Sequence, residues 1–197
     1  VNVIIMTSLW DVSRYLIIGF MGTFKTKELS FSIFAVQIIN IFGNILRAIV
    51  SKPFGRFSDR YSYVKGMKLA FVIAAFAFAF NMFSSENFRW CVVVYTVLYN
   101  VCTAGTNQNN FNITYSYVDK KYFSQALAIK NSIGGVLGFC ASVAGGRIVS
   151  AIQANGNMVL GIHLYAQQVL SAVSFILILF DIVFVSKMVE KQNLICS

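Results

Sequence analysis

Acidic residues are scarce in this chain: seven Asp and Glu in 197 residues, against sixteen Lys and Arg. Charged residues of both signs make up 12% of the sequence, where a soluble domain carries about 25%. That shortage excludes an ordinary water-facing surface. Proline occurs once, at Pro53, which suits long helices better than a loop-rich fold. The one histidine, His163, falls at the outer start of the last apolar block, where a structural role is the plain reading. No HExxH, GxSxG or phosphate-binding loop occurs, so no catalytic site, no metal site and no enzyme are expected. Four cysteines, Cys91, Cys102, Cys140 and Cys196, include no CxxC pair, and three lie in apolar blocks. Buried free thiols are expected rather than disulfides or metal ligands. The sequence opens at Val1, directly inside an apolar block with no basic stretch before it. This argues against a signal peptide, and the chain is expected to be cut from something longer.

What the chain has in plenty is apolar sequence: 57% hydrophobic and 15% aromatic, gathered into blocks. Each block is long enough to cross a hydrocarbon core, which takes roughly 20 residues of helix. Six spans are predicted, at about 3–23, 31–51, 66–83, 89–112, 126–150 and 161–186. They must be helices, because lipid satisfies no backbone hydrogen bond. A barrel would need strands of about 9–11 residues with alternating polarity, and these blocks do not alternate. The expected fold is an all-α membrane protein with six transmembrane helices.

The net charge of +9 is read as topology, with no nucleic acid as partner. Lys52, Arg56, Arg60, Lys65 and Lys68 follow the second span; Lys120, Lys121 and Lys130 follow the fourth; Lys187 and Lys191 follow the sixth. These ten bases share one side, while Lys25, Lys27 and Arg89 make three on the other. The excess marks the cytoplasmic side. The expectation is a multi-pass protein of the cytoplasmic membrane, with both termini in the cytoplasm.

Polar residues inside the spans mark candidate function, since they are costly in lipid and usually face a bundle interior or a wet cavity. Asp11 and Arg14 stand three residues apart on one face of the first span, close enough to pair. They are read as a substrate or proton-coupling pair, against a structural ion pair as the plain alternative. Gln37, Asn40, Asn44 and Arg47 form one stripe on the second span with an apolar back, and suggest a cavity lining rather than interhelical bonding alone. Tyr95 and Tyr99 begin a similar stripe on the fourth, continued by Thr103, Thr106 and Asn110. Tyr offers a ring face and a hydroxyl, which suits an amphipathic organic solute. On the fifth, Gly134, Gly138, Ser142, Gly146 and Ser150 recur every fourth residue as a helix-packing ridge, with a helix absent from this chain as its candidate partner. The third and sixth spans are bland and read as lipid-facing.

The connection at 53–65 reads PFGRFSDRYSYVK. It resembles the signature loop of the major facilitator superfamily, G-x-x-x-D-R/K-x-G-R/K-R/K. Gly55, Asp59 and Arg60 match. Ser62 stands where the second Gly belongs, and Tyr63 and Val64 replace bases, with Lys65 just beyond. Superfamily members are built from two six-helix halves, each of two inverted three-helix repeats. The resemblance implies that this chain is one half, most simply the C-terminal one, with repeats at about 1–84 and 85–190. It implies outermost third and sixth helices, and an N-terminal six-helix half as partner, met by the ridge of the fifth span. It also implies a cytoplasmic gate in which Asp59 faces a helix N-terminus or a base while Arg56 and Arg60 pair with acids.

The function expected is secondary transport of a small solute by alternating access. Asp11, Arg14, Gln37, Asn40, Asn44, Tyr95 and Tyr99 are the site candidates. The lipid bilayer, the solute and the missing half are the partners. No cofactor is expected, and proton or sodium coupling is left open. A non-transporting receptor or assembly partner is the alternative, and an intramembrane enzyme a weaker one.

Overall fold

The computed structural model describes residues 2–159 and 161–189. The thiol of Cys196 and the base Lys191 lie outside them. Six long helices run through the described residues: α1 (Asn2–Ile18), α2 (Ile33–Tyr61), α3 (Tyr63–Met82), α4 (Trp90–Tyr117), α5 (Phe123–Ala154) and α6 (Ala166–Phe184). After a break at Gly19 and Phe20, α1 is extended by a short turn, Met21–Thr23, and a π-helical turn, Phe24–Glu28. By length and composition, five helical stretches can cross a membrane: Asn2–Glu28, Ile33–Tyr61, Tyr63–Met82, Lys120–Ala154 and Ala166–Lys187. The 28 residues of α4 are long enough as well, but its tract at 107–112 lowers its hydropathy. The chain is an all-α, multi-pass membrane protein.

Several boundaries differ from the sequence reading. The second helix runs ten residues past Ser51, straight through Pro53, so the signature segment as far as Tyr61 is not a loop but the last turns of α2, and its remainder is the Ser62 joint and the start of α3. Charged residues do not end a helix; they only end its apolar part, and α2 projects beyond it. Its start is capped by Ser32, whose Oγ accepts from Ala35 N at 3.1 Å. Ser62 alone joins α2 to α3, in extended backbone, and its Oγ accepts from Val64 N at 3.2 Å. At the other end, residues predicted to begin the sixth span form a hairpin instead. Met158–Val159 pairs antiparallel with Ile162–His163, and Gly156, Asn157 and Gly161 supply positive φ. His163 therefore sits in this hairpin, its ring 5.2 Å from that of Tyr165.

Neighbour relations follow from small residues. On α5, Gly134 lies against Asp11, Gly138 against Tyr15, and Gly145 and Gly146 against Phe20, while Ser142 Oγ donates to Tyr15 O at 3.1 Å. The ridge lies against α1 of the same chain, where a helix absent from the chain was the expected partner. Ser150 is exposed and stands outside the contact. On α2, Gly43 meets Asn100 and Gly55 meets Gln108, which sets α2 parallel to α4. Helix α6 runs antiparallel to α3 through Asn81 Nδ2 to Ser171 Oγ (2.6 Å), and to α1 through Ser174 Oγ to Ser13 O (2.8 Å).

The core lies between α1, α3, α4 and α6, around Phe71, Phe78, Met6, Ile17 and Leu170. Bland sequence did not mean a lipid-facing helix throughout. The apolar window of α3 is 50% buried inside the chain, against 11% for α2. Ala70, Ala74 and Ala77 let α3 approach its neighbours closely, leaving Leu69, Phe76 and Phe83 outside.

Candidate solute-binding site

A cavity of 360 Å³ opens between α2, α4 and the extension of α1. Asn40, Asn44 and Arg47 line it from α2, and Tyr95, Thr96, Tyr99 and Asn100 from α4. Ile18, Met21, Gly22 and Lys25 close it from α1. A second open cavity of 400 Å³ adjoins it at Arg47 and continues along Ser51, Lys52, Ala104, Asn107 and Gln108.

Aromatic packing holds one wall. Tyr95 and Tyr99 stack at 5.6 Å and 26°, Tyr99 stacks on Trp10 at 6.4 Å, and Trp10 leans on Phe71 at 5.7 Å. The two tyrosines are thereby fixed by the core rather than free to swing. The polar groups of α4 are fixed differently, by their own helix: Thr96 Oγ1 donates to Val92 O at 2.8 Å, Asn100 Nδ2 to Thr96 O at 2.8 Å, and Asn109 Nδ2 to Gly105 O at 2.8 Å. Such bonds to the carbonyl four residues back let a polar tract persist in a helix without water.

A separate polar cluster joins α1, α4 and α5. Arg14 Nε stands 3.0 Å from Asp11 Oδ1, with both side chains about three-quarters or more buried, and the guanidinium also reaches the Tyr15 hydroxyl at 3.2 Å. Lys130 of α5 is buried and bonds Asn110 Oδ1 at 2.8 Å and Thr114 Oγ1 at 3.0 Å. The Asp11 carboxylate is within electrostatic reach of this ammonium.

Of the seven predicted solute residues, the structure brings Asn40, Asn44, Tyr95 and Tyr99 to one cavity. Asp11 and Arg14 pair as read but belong to the neighbouring cluster. Gln37 is exposed and does not line the cavity. Lys25, Thr96 and Asn100 were not singled out. A usable signal existed for Lys25: residues 18, 21, 22 and 25 recur at helical spacing, so a first helix carried past residue 23 puts it on the cavity face. At the signature segment, Gly55 is buried against α4, and Asp59 lies within electrostatic reach of Tyr63, the first residue of α3. Arg56 is exposed and Arg60 lies 5.6 Å over the Tyr61 ring; neither makes an ion pair among the described residues.

Apolar helices of crossing length around polar cavities define a multi-pass membrane protein of the transporter class. The chain belongs to the Major Facilitator Superfamily, whose family model matches residues 3–192. Members of that family are membrane transporters rather than enzymes. Among curated proteins and among solved structures, none matches the chain.

Proposed function

We propose that this chain is one half of a secondary transporter, the C-terminal six helices, and moves a small solute by alternating access. The observation that carries this reading is the convergence of the α2 and α4 polar stripes on one cavity. A non-transporting receptor has no need of such convergence. The cavity is lined by α2, α4 and the extension of α1 and opens outward, and the other half supplies the wall that faces its opening.

The helix pairing supports two repeats, at about 1–84 and 85–190. Exchanging α1 with α4, α2 with α5 and α3 with α6 turns the α2–α4 contact into the α5–α1 contact and returns the α3–α6 contact to itself. Within that frame α4 is the fourth span, the basic ends of α2 and α5 face the cytoplasm, and both termini lie there. Helices α2 and α5 expose the broadest apolar faces, among them Ile38, Phe42, Ile45 and Ile49 on one and Ile133, Val136 and Phe139 on the other. These faces suit contact with the partner half and with lipid. Asp11 and Arg14 are the candidate coupling pair, for protons or sodium.

The test is solute counterflow in proteoliposomes carrying the full-length protein, with Asn44→Leu as the comparison. Uptake that survives Asn44→Leu at wild-type rate would remove the cavity from the transport path.

A further inference from the structure

We propose that the cavity selects small organic anions, with Lys25 as the anchor for the anionic group and Arg47 and Lys52 as successive stations toward the cytoplasmic end. This rests on the reading of the chain as a transporter.

The two buried lysines are held in opposite ways. Lys130 has its ammonium surrounded by α4 oxygens, from Asn110 and Thr114, and a carboxylate nearby. Its bonding capacity is spent on structure. Lys25 is as deeply buried, at 4% exposure, yet among the described residues its ammonium makes a single hydrogen bond, to Thr96 Oγ1 at 3.0 Å. An ammonium carries three donors, so two remain, on a residue that lines a cavity. No carboxylate pairs with it among the described residues. A buried charge normally has a counter-charge, and a solute is the group positioned to supply it.

The six acids among the described residues are engaged or placed elsewhere. Asp11 pairs with Arg14, Glu28 accepts from Gln153, and Asp59 is exposed near Tyr63, away from both cavities. Asp119 caps the turn before α5, Glu86 lies in the α3–α4 connection, and Asp181 is buried in α6. Among the described residues neither cavity has an acid in its lining, while Lys25 and Arg47 line the first and Arg47 and Lys52 the second. Shared Arg47 makes the two cavities one electropositive groove. Helix α2 carries Arg47 and Lys52 five residues apart, so a unit rise of about 1.5 Å puts them roughly 7–8 Å apart along the axis. That is a step an anion can make without leaving both cations at once. The rings of Tyr95 and Tyr99 and the side chains of Ile18 and Met21 suit an apolar or aromatic body, and Asn40, Asn44 and Asn100 its polar substituents.

The test is thermal unfolding of the purified protein in detergent with matched probes: benzoate, benzenesulfonate and phenyl phosphate against benzamide and benzylamine. At least one anion should raise the unfolding midpoint saturably while the neutral and cationic probes do not. Lys25→Met should weaken that anion's apparent affinity tenfold or more, and Lys27→Met, an exposed charge two residues away, should change it less than twofold. Equal shifts by benzamide or benzylamine, or no shift by any anion, overturns the proposal. So does an anion affinity that survives Lys25→Met. If Lys25→Met does not assemble, the charge preference of the wild type decides alone. Counterflow separates the two readings: uptake without anion preference removes this proposal and leaves the transporter, whereas Lys25-dependent anion binding without uptake does the reverse.

Discussion

Gly134 of α5 lies directly beneath the Asp11 carboxylate of α1, where any β-carbon would displace Oδ2. The same ridge meets harder obstacles further along. A β-carbon at Gly145 would stand 2.9 Å from the Leu16 carbonyl oxygen, which is backbone, and one at Gly135 would meet nothing within 4 Å. Alanine substitutions should therefore rank by what must move. Gly145→Ala should lower the thermal midpoint most, by about 1–3 kcal/mol of overpacking. Gly134→Ala should cost less, because a flexible side chain yields, and Gly135→Ala should be neutral or slightly stabilising through helix propensity. Parallel unfolding curves in one detergent check the order; a Gly135→Ala loss as large as that of Gly145→Ala would contradict it.

Asp11→Asn tests the coupling role. The pair it forms with Arg14 is three-quarters or more buried but not sealed off, so the loss of stability should fall between that of an exposed pair and that of a fully buried one. Transport should change far more. Uptake driven by a proton or sodium gradient should fall sharply while counterflow without a gradient persists. Uptake that is ion-independent and unchanged in Asp11→Asn would end the coupling assignment.

Tyr99 is stacked on both sides, by Tyr95 and by Trp10. Tyr99→Phe keeps both ring contacts and should keep the thermal midpoint. Tyr99→Ala removes them, at about 0.5–1.5 kcal/mol for each pair beyond the area lost, and should loosen the wall that faces the solute. Calorimetry on both variants distinguishes ring from hydroxyl: a Phe variant as unstable as the Ala variant would place the contribution in the hydroxyl.

Asp181 is fully buried in α6, and neither of its oxygens has a hydrogen-bond partner among the described residues. Burying a polar group without a bond costs roughly 1–3 kcal/mol on mutational scales. Asp181→Leu should accordingly raise the thermal midpoint. A lowered midpoint would contradict that expectation.

The helices were legible because lipid imposes one rule on every span, an unbroken apolar run, and these runs are plain in the sequence. Their ends were not. Lys25 and the segment around Asp59 look like loop because they are charged, yet helical backbone continues under them, and only the apolar requirement stops. The α2 and α4 stripes located one cavity wall, since spacing alone decides which side chains share a helix face. Spacing does not say which helix lies opposite. The Gly134 to Gly146 ridge could therefore be read as a packing surface, while its neighbour α1 could not be named from spacing. Lys25 was missed for both reasons together: it lies past the apolar run, and its bonding partner Thr96 is 71 residues away.

The joint between α2 and α3 is a single residue, Ser62. A linker of that length stores no slack, so a displacement at one side of it is delivered to the other in full. Inserting a flexible tripeptide after Ser62 would decouple the two rods while leaving each intact, and the same insertion at Gly161, in the turn of the hairpin before α6, would not. Transport speed compared between the two insertions would then measure how far the protein depends on a stiff lever at this joint.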